Sequence, residues 1–238
     1  MSRVSVAILI AAFVIGCDSI PREVEQKLVC THTPQYGRLM PMELGNYWDY
    51  QEVFDEDRIA DTTRFSLFTE INIPGYLDSY RVFGGRWYNL GDTPSNRIEL
   101  WSNQGDGIHR SGIIALGDTL SEDFLGFPFP ATPDTKVYWY AYQKNETTGE
   151  FEKRDSTLVE LISTDEIIDT PAGQFSAHAY RYATKPPVDD VSYGSIIYWH
   201  VVPALGIVAI SIYDGWADRD SPARKQSLLV DYCLMATK

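Results

Sequence analysis

The strongest constraint on this chain lies between Thr164 and Tyr213. There TDEIIDTPAGQFSAHAYRYATK leads, after a polar break, into YGSIIYWHVVPALGIVAISIY. From Gln174 the residues alternate with period 2, the repeat of a β-strand. Phe175, Ala177, Ala179, Arg181 and Ala183 form one face. Gln174, Ser176, His178, Tyr180 and Tyr182 form the other. The first face is small and mostly apolar and is expected to pack. The second is polar and aromatic and is expected to stay half-exposed. Residues 196–202 are apolar or aromatic on both faces, as in a strand covered on both sides or lining a cavity. Two structural turns punctuate the stretch, one carrying Pro171 and Gly173 and the other Pro203 and Gly206. Proline gives no N–H to a ladder, and glycine supplies positive φ or room for close approach. Two or three adjacent strands are expected here.

The remaining chain reads similarly. Strands are expected over 46–54, 64–73, 79–90, 98–102 and 108–116, with Gly84-Gly85 as a hairpin turn or a bulge. Residues 117–135, rich in Gly and Pro, read as a covering loop or a crossover between halves. KVYWYAYQ at 136–143 places Tyr138, Tyr140 and Tyr142 on one face and Val137, Trp139 and Ala141 on the other. An Asn-Glu-Thr-Thr-Gly turn then returns the chain as a strand over 151–163, a hairpin. Residues 227–235 close the sheet. No long 3.6-residue apolar stripe occurs outside the first 16 residues. The fold class is therefore mainly β, with ten or more strands and little helix. A strongly curved antiparallel sheet or open barrel is expected, with a two-sheet β-sandwich as the alternative.

The N-terminus reads as an address. Arg3 is a basic n-region and Val4–Ile15 an apolar run too short for a comfortable membrane span. Val14-Ile15-Gly16-Cys17 resembles the bacterial lipobox: a small residue before the cut, then a thiol that takes a diacylglycerol. Residues 1–16 are read as a signal peptide, with Cys17 as the lipidation site. Residues 17–40 are read as a lipid-anchored tether and N-terminal arm, and 41–238 as one β-rich domain. Several acyl chains, palmitate among them, would hold such a protein on a membrane. Inner and outer membrane are both compatible.

Cys30 and Cys233 remain. An oxidising envelope permits a bridge between them, tying the arm to the last strand; the alternative is two unpaired thiols. His32 follows Cys30 closely, but one thiol and one imidazole do not complete a metal set. The acidic cluster at Asp55, Glu56 and Asp57, with Asp61, lacks the calcium-loop pattern and reads as a solvated turn, with weak calcium binding as the alternative. No metal or cofactor is expected.

Three phrases carry a family resemblance. MPMELGNYWDYQE supplies Pro41, Gly45, Trp48 and Tyr50; TPAGQF supplies Pro171, Ala172, Gly173 and Phe175; YWHVVPALGIV supplies Trp199, Gly206 and Val208. Together they resemble a group of bacterial envelope lipoproteins of unknown function. The group has a "PAG-x-F" turn and a Tyr/Trp strand leading to a "G-hydrophobic-V" segment. Val202-Pro203-Ala204-Leu205 departs from the shorter turn usual there. The resemblance implies a β-rich fold and an envelope address, and it carries no catalytic residues.

Composition narrows the functional classes. A formal charge of −13 disfavours nucleic acid, whose affinity comes mostly from Lys and Arg at phosphates. Hydrophobic content of 44% with 13% aromatic residues supports a real core. HExxH, GxSxG and CxxC are absent. His178 and His200 would face each other if their strands paired in register, with Asp165 and Glu166 upstream; a structural role for these histidines is the simpler reading. Adjacent Asp189 and Asp190 do not make an opposed glycosidase pair. The reading is a non-enzymatic envelope lipoprotein that binds or carries an apolar or glycan ligand. Tyr138, Tyr140, Tyr142, Tyr180, Tyr182 and Trp199 are its candidate ligand-facing aromatics. A structural or assembly partner in an envelope complex is the first alternative, and an unrecognised enzyme the second.

Overall fold

A computed structural model describes residues 30–31, 38–54, 58–71, 80–92, 96–115, 118–120, 124–144, 151–185, 195–214 and 222–235. The expected signal peptide (residues 1–16), Cys17, His32, residues 55–57, the Asn145 turn and Asp189-Asp190 lie outside the described residues. The described chain forms fourteen strands: β1 (Cys30–Thr31), β2 (Tyr47–Phe54), β3 (Arg58–Ile71), β4 (Val82–Asn89), β5 (Ile98–Gln104), β6 (Gly107–Ala115), β7 (Asp118–Leu120), β8 (Phe124–Pro128), β9 (Lys136–Lys144), β10 (Phe151–Thr170), β11 (Gly173–Lys185), β12 (Ser195–Val202), β13 (Gly206–Asp214) and β14 (Lys225–Met235). All pairings are antiparallel, in the order β7-β6-β5-β4-β3-β2-β14-β13-β12-β11-β10-β9. β1 adds to β14, and β8 pairs with β6.

Two consecutive meanders, β2–β7 and β9–β14, are thus joined through β2 and β14. The sheet curls until its ends approach. Tyr180 and Tyr182, on β11, donate their hydroxyls to the carbonyls of Pro128 and Gly126 on β8, which is laddered to β6 at the far side of the order. This is the curved, nearly closed sheet, and not the two-sheet sandwich. Cys30 and Cys233 form a disulfide with a Cα–Cα distance of 5.0 Å, fixing β1 to β14.

Several local expectations change. Residues 151–170 are one strand of 20 residues, so TDEIIDT continues the preceding element. Register shifts at Leu161/Ser163 and Ser163/Glu166 bend it in the middle, which hides its length from a period-2 reading. Residues 117–135 are not simply a loop: they contain β7 and β8, and β8 enters the interior. Gly84 and Gly85 lie inside β4, and the irregularity is on the partner strand, between Leu67 and Thr69. A Cβ on Gly85 would stand 2.5 Å from the Phe65 ring, so glycine is what lets that ring lie over β4.

The faces of β11 also differ from expectation. Tyr180 and Tyr182 point into the core, so the aromatic face is the packed one. Ala177, Ala179 and Ala183 are buried as well. Arg181 opposes Tyr198 and pairs with Glu160 at 3.6 Å. Nearby, Tyr198 packs with Ile196 and Tyr213 in a separate small cluster outside the main core.

Candidate functional site

The concave face is built by strand alternation, because residues directly opposed across a ladder share a face. Tyr50 opposes Thr63, and Trp87 opposes Phe65. Trp199 opposes Tyr180 and Ile210, while Ile197 opposes Tyr182 and Ile212. These positions line one interior. Their rings form a belt: Tyr50–Trp87 at 5.4 Å, Trp87–Phe65 at 4.7 Å, Phe65–Trp101 at 6.0 Å and Trp101–Phe127 at 6.3 Å. From Phe127 the belt continues to Tyr180, Tyr182 and Trp199 at 5.2, 5.6 and 5.7 Å. Such offset and edge-on contacts add to the burial of the rings.

The belt has a sealed floor. Trp48, Tyr50, Phe65 and Tyr180 are fully buried. Their polar atoms have backbone partners: Trp48 Nε1–H to the Leu205 carbonyl at 2.8 Å, Tyr50 to Ile207 at 2.9 Å and Tyr180 to Pro128 at 2.9 Å. Burial raises the pKa of the Tyr50, Tyr180 and Tyr182 phenols, so all three stay protonated as donors. Gly206 supports this floor: at φ +106° it leaves a would-be Cβ only 3.2 Å from Trp48 and Met40.

Above the floor the same wall is only partly covered. Trp87, Ile197, Trp199 and Ile212 are half-buried. Polar groups follow. Lys225, opposite Ile212, contacts Glu52 at 2.6 Å, and Thr63 donates to Glu52 at 2.9 Å. On the other side Arg110, opposite Trp101, reaches Glu99 at 3.1 Å. Its guanidinium also lies 5.6 Å from the Trp101 ring. The interior thus grades from an aromatic floor through half-covered apolar groups to a rim with two ion pairs. The indole N–H groups of Trp101 and Trp199 are buried with no hydrogen-bond partner among the described residues.

Of the aromatics expected to face a ligand, Tyr180, Tyr182 and Trp199 come together here. Tyr138 does not: it is 58% exposed and opposes Leu158, on the face away from Val137 and Val159. Tyr140 and Tyr142 alternate with Tyr138 on β9, and their side chains lie outside the described residues. The face-to-face histidine pair is not formed. His178 opposes Val201, and Ala179 opposes His200, so the two rings occupy opposite faces. His178 packs beside Phe129, ring centroids 5.7 Å apart, and desolvation lowers its pKa. His200 instead meets Glu166 at 3.2 Å, while Asp165 accepts from Ser163. Pro171 and Ala172 form the two-residue connection of the β10–β11 hairpin, with Gly173 at φ +137°. The Ala172 N–H donates to the Leu229 carbonyl at 3.0 Å. Among the described residues no group of three His, Cys, Asp or Glu side chains is placed to hold a metal.

Ile197 lies in the 196–202 strand expected to be covered or to line a cavity, whereas Trp87, Trp101, Phe127, Ile212, Glu52 and Lys225 belong to the interior without having been singled out in the sequence. These six lie on six strands, and only closure of the sheet brings them together. Phe127 lies in the Gly- and Pro-rich stretch 117–135, whose composition favours a loop.

The fold and its interior define a single curved antiparallel sheet, nearly closed on itself, with an aromatic concave face. No family model matches the chain, and no curated protein matches it. Two solved structures are similar. One is a candidate lipoprotein from Parabacteroides distasonis, 15% identical, with a TM-score of 0.48 over 83% of this chain and 99% of that one. The other is a candidate exported protein with a YmcC-like fold from Bacteroides fragilis, 13% identical, with a TM-score of 0.43 over 84% of this chain and 99% of that one.

Proposed function

We propose that the protein is an envelope lipoprotein, anchored through Cys17, that works as a non-catalytic binding or carrier module for an apolar or glycan ligand. The observation that supports the reading is the partial exposure of Trp87, Ile197, Trp199 and Ile212 on the same wall whose floor is sealed. Apolar groups that face inward and still meet solvent are what a concave ligand site offers, with a few polar groups nearby to set orientation. The lipobox supports the address.

The test uses mature protein with Cys17 replaced. Native mass spectrometry of the purified protein is expected to detect a retained ligand, or the protein is expected to take up N-phenylnaphthylamine with enhanced fluorescence. Trp87→Ala with Trp199→Ala is expected to weaken uptake about tenfold or more, since a buried aromatic contact is worth over ~1 kcal/mol. Neither ligand nor dye in a folded protein would overturn the reading. For the anchor, acyl labelling is expected on wild type and absent in Cys17→Ser; an unlabelled wild type in the soluble envelope fraction would refute it.

A second reading, an assembly partner, has its own support in β10. Its pairing with β9 ends at Glu160, and beyond it Ile162 and Ile167 are exposed. Crosslinking from position 167 in intact cells is expected to capture a defined envelope protein under this reading, and nothing under the first.

A further inference from the structure

The two meanders meet in two different ways. Between β2 and β14 the join is a backbone ladder running from Tyr47 to Phe54. At the other side of the molecule β8 supplies the meeting point. One edge of β8 is laddered to β6, with Gly107, Ile108, His109 and Arg110 opposing Pro128, Phe127, Leu125 and Phe124. Toward β11 it is held by side chains: Tyr180 O–H to the Pro128 carbonyl and Tyr182 O–H to the Gly126 carbonyl. The two bonds are two residues apart on both strands, and Phe127 lies between them, packed on both tyrosines.

A side-chain seam of this kind opens more cheaply than a ladder. Separating β8 from β11 breaks two phenol–carbonyl bonds and ring contacts, together with the packing of β8 on β9 and β10, and frees β8 to fray from β6, while the ladders within β2–β7 and β9–β14 stay intact. What opening uncovers also fits a point of entry. Phe127 is flanked by Trp101 and Trp199, whose buried indole N–H groups have no partner among the described residues. An incoming ligand's oxygen would satisfy donors that the closed state leaves unmatched.

We propose that the concave interior loads and discharges through the seam between β8 and β11, with the hydroxyls of Tyr180 and Tyr182 as its latch. The portal rests on the reading of the interior as a ligand site; the latch does not. Phe127 is then the internal group that fills the entrance when the seam is shut.

The test compares wild type with Tyr180→Phe, Tyr182→Phe and the double variant, which keep the rings and delete the hydroxyls. Hydrogen exchange is read on amides of β8 against those of β2 and β3. Each lost hydroxyl is expected to speed exchange in β8 about 5-fold, and the double variant about 25-fold, with β2 and β3 unchanged. N-phenylnaphthylamine should enter and leave the double variant faster by similar factors, because both rates pass through the same opening. Unchanged β8 exchange in the double variant would overturn the latch. Faster β8 exchange with unchanged dye rates would overturn the portal and leave the latch. Loss of protection throughout the sheet would mean the hydroxyls support the whole fold, and would also overturn it. A wild type that takes up no dye removes the ligand-site reading and the portal together, and the exchange data still decide the latch.

Discussion

His178 and His200 lie on adjacent strands and face opposite sides of one sheet, since Ala179, and not His178, is the residue across from His200. A shift of one residue in register would have faced the two imidazoles toward each other. Their chemistry is divided accordingly: His178 belongs to the aromatic interior beside Phe129, and His200 pairs with Glu166.

The position of His178 has a pH consequence. Desolvation holds its folded-state pKa below the ordinary imidazole value of about 6.5. The unfolded chain therefore binds more protons there, and stability is full above that value and declines as pH falls below it. Urea midpoints measured from pH 8 to pH 5 are expected to fall in wild type and to fall less in His178→Phe. Parallel curves for the two proteins would exclude this role.

Strand type and turn position were legible in the sequence because they are local. Pro171-Ala-Gly173 and the alternation after it suffice for a hairpin, and Trp48 and Tyr50 sharing a face needs only period 2. The burial of β11's aromatic face was not legible. Ala177 and Tyr180 are both buried, on opposite faces of one strand, and only the wall opposite decides which face is the interior. β10 is a different case. Its two register shifts interrupt the alternation from Leu161 to Glu166, so the second half reads as a new element. The interior site was least legible of all, since Trp87, Phe127 and Lys225 meet only when both chain halves have folded.

Two glycines should respond differently to substitution. Gly85 has ordinary φ but no room, with the Phe65 ring 2.5 Å from a would-be Cβ. Gly85→Ala is expected to cost about 1–3 kcal/mol through overpacking. Gly173 has open space but φ +137°, so Gly173→Val is expected to cost about 1–2 kcal/mol through backbone strain alone. Thermal unfolding with a compensating Phe65→Leu checks the distinction: it should restore part of the loss at position 85 and none at 173.

The disulfide makes a direct thiol prediction. Oxidised, denatured protein with Cys17 replaced should show no free thiol, and two free thiols would refute the Cys30–Cys233 bond. The bonded residues are 203 apart in sequence, and closing so long a loop gives a nominal stabilisation of about 5 kcal/mol. Reduction should lower the urea midpoint without abolishing the β-sheet circular dichroism of the 14-stranded body.

Alkaline titration should separate the interior tyrosines from the others. Tyr50, Tyr180 and Tyr182 have folded pKa values raised by burial. Their contribution to stability is full below about pH 10 and is lost as pH rises beyond it. Phenolate absorbance at 295 nm should therefore rise in two phases, the second coinciding with unfolding. A single early phase that includes all tyrosines would contradict their burial.

The join between β2 and β14 also sets a timetable. Each meander can be assembled from neighbours in the chain, but β2 must wait for β14, the last described strand, before its second edge is covered. During synthesis, when the chain emerges from its N-terminus, the edge carrying Trp48 and Tyr50 would be presented to the surroundings until almost the whole polypeptide has emerged. Such an edge is a template for mispairing. A chain stopped short of Lys225 would keep its first meander and lack the strand that covers it. Cellular quality control would then have a simple mark of incompleteness to detect: an open β2.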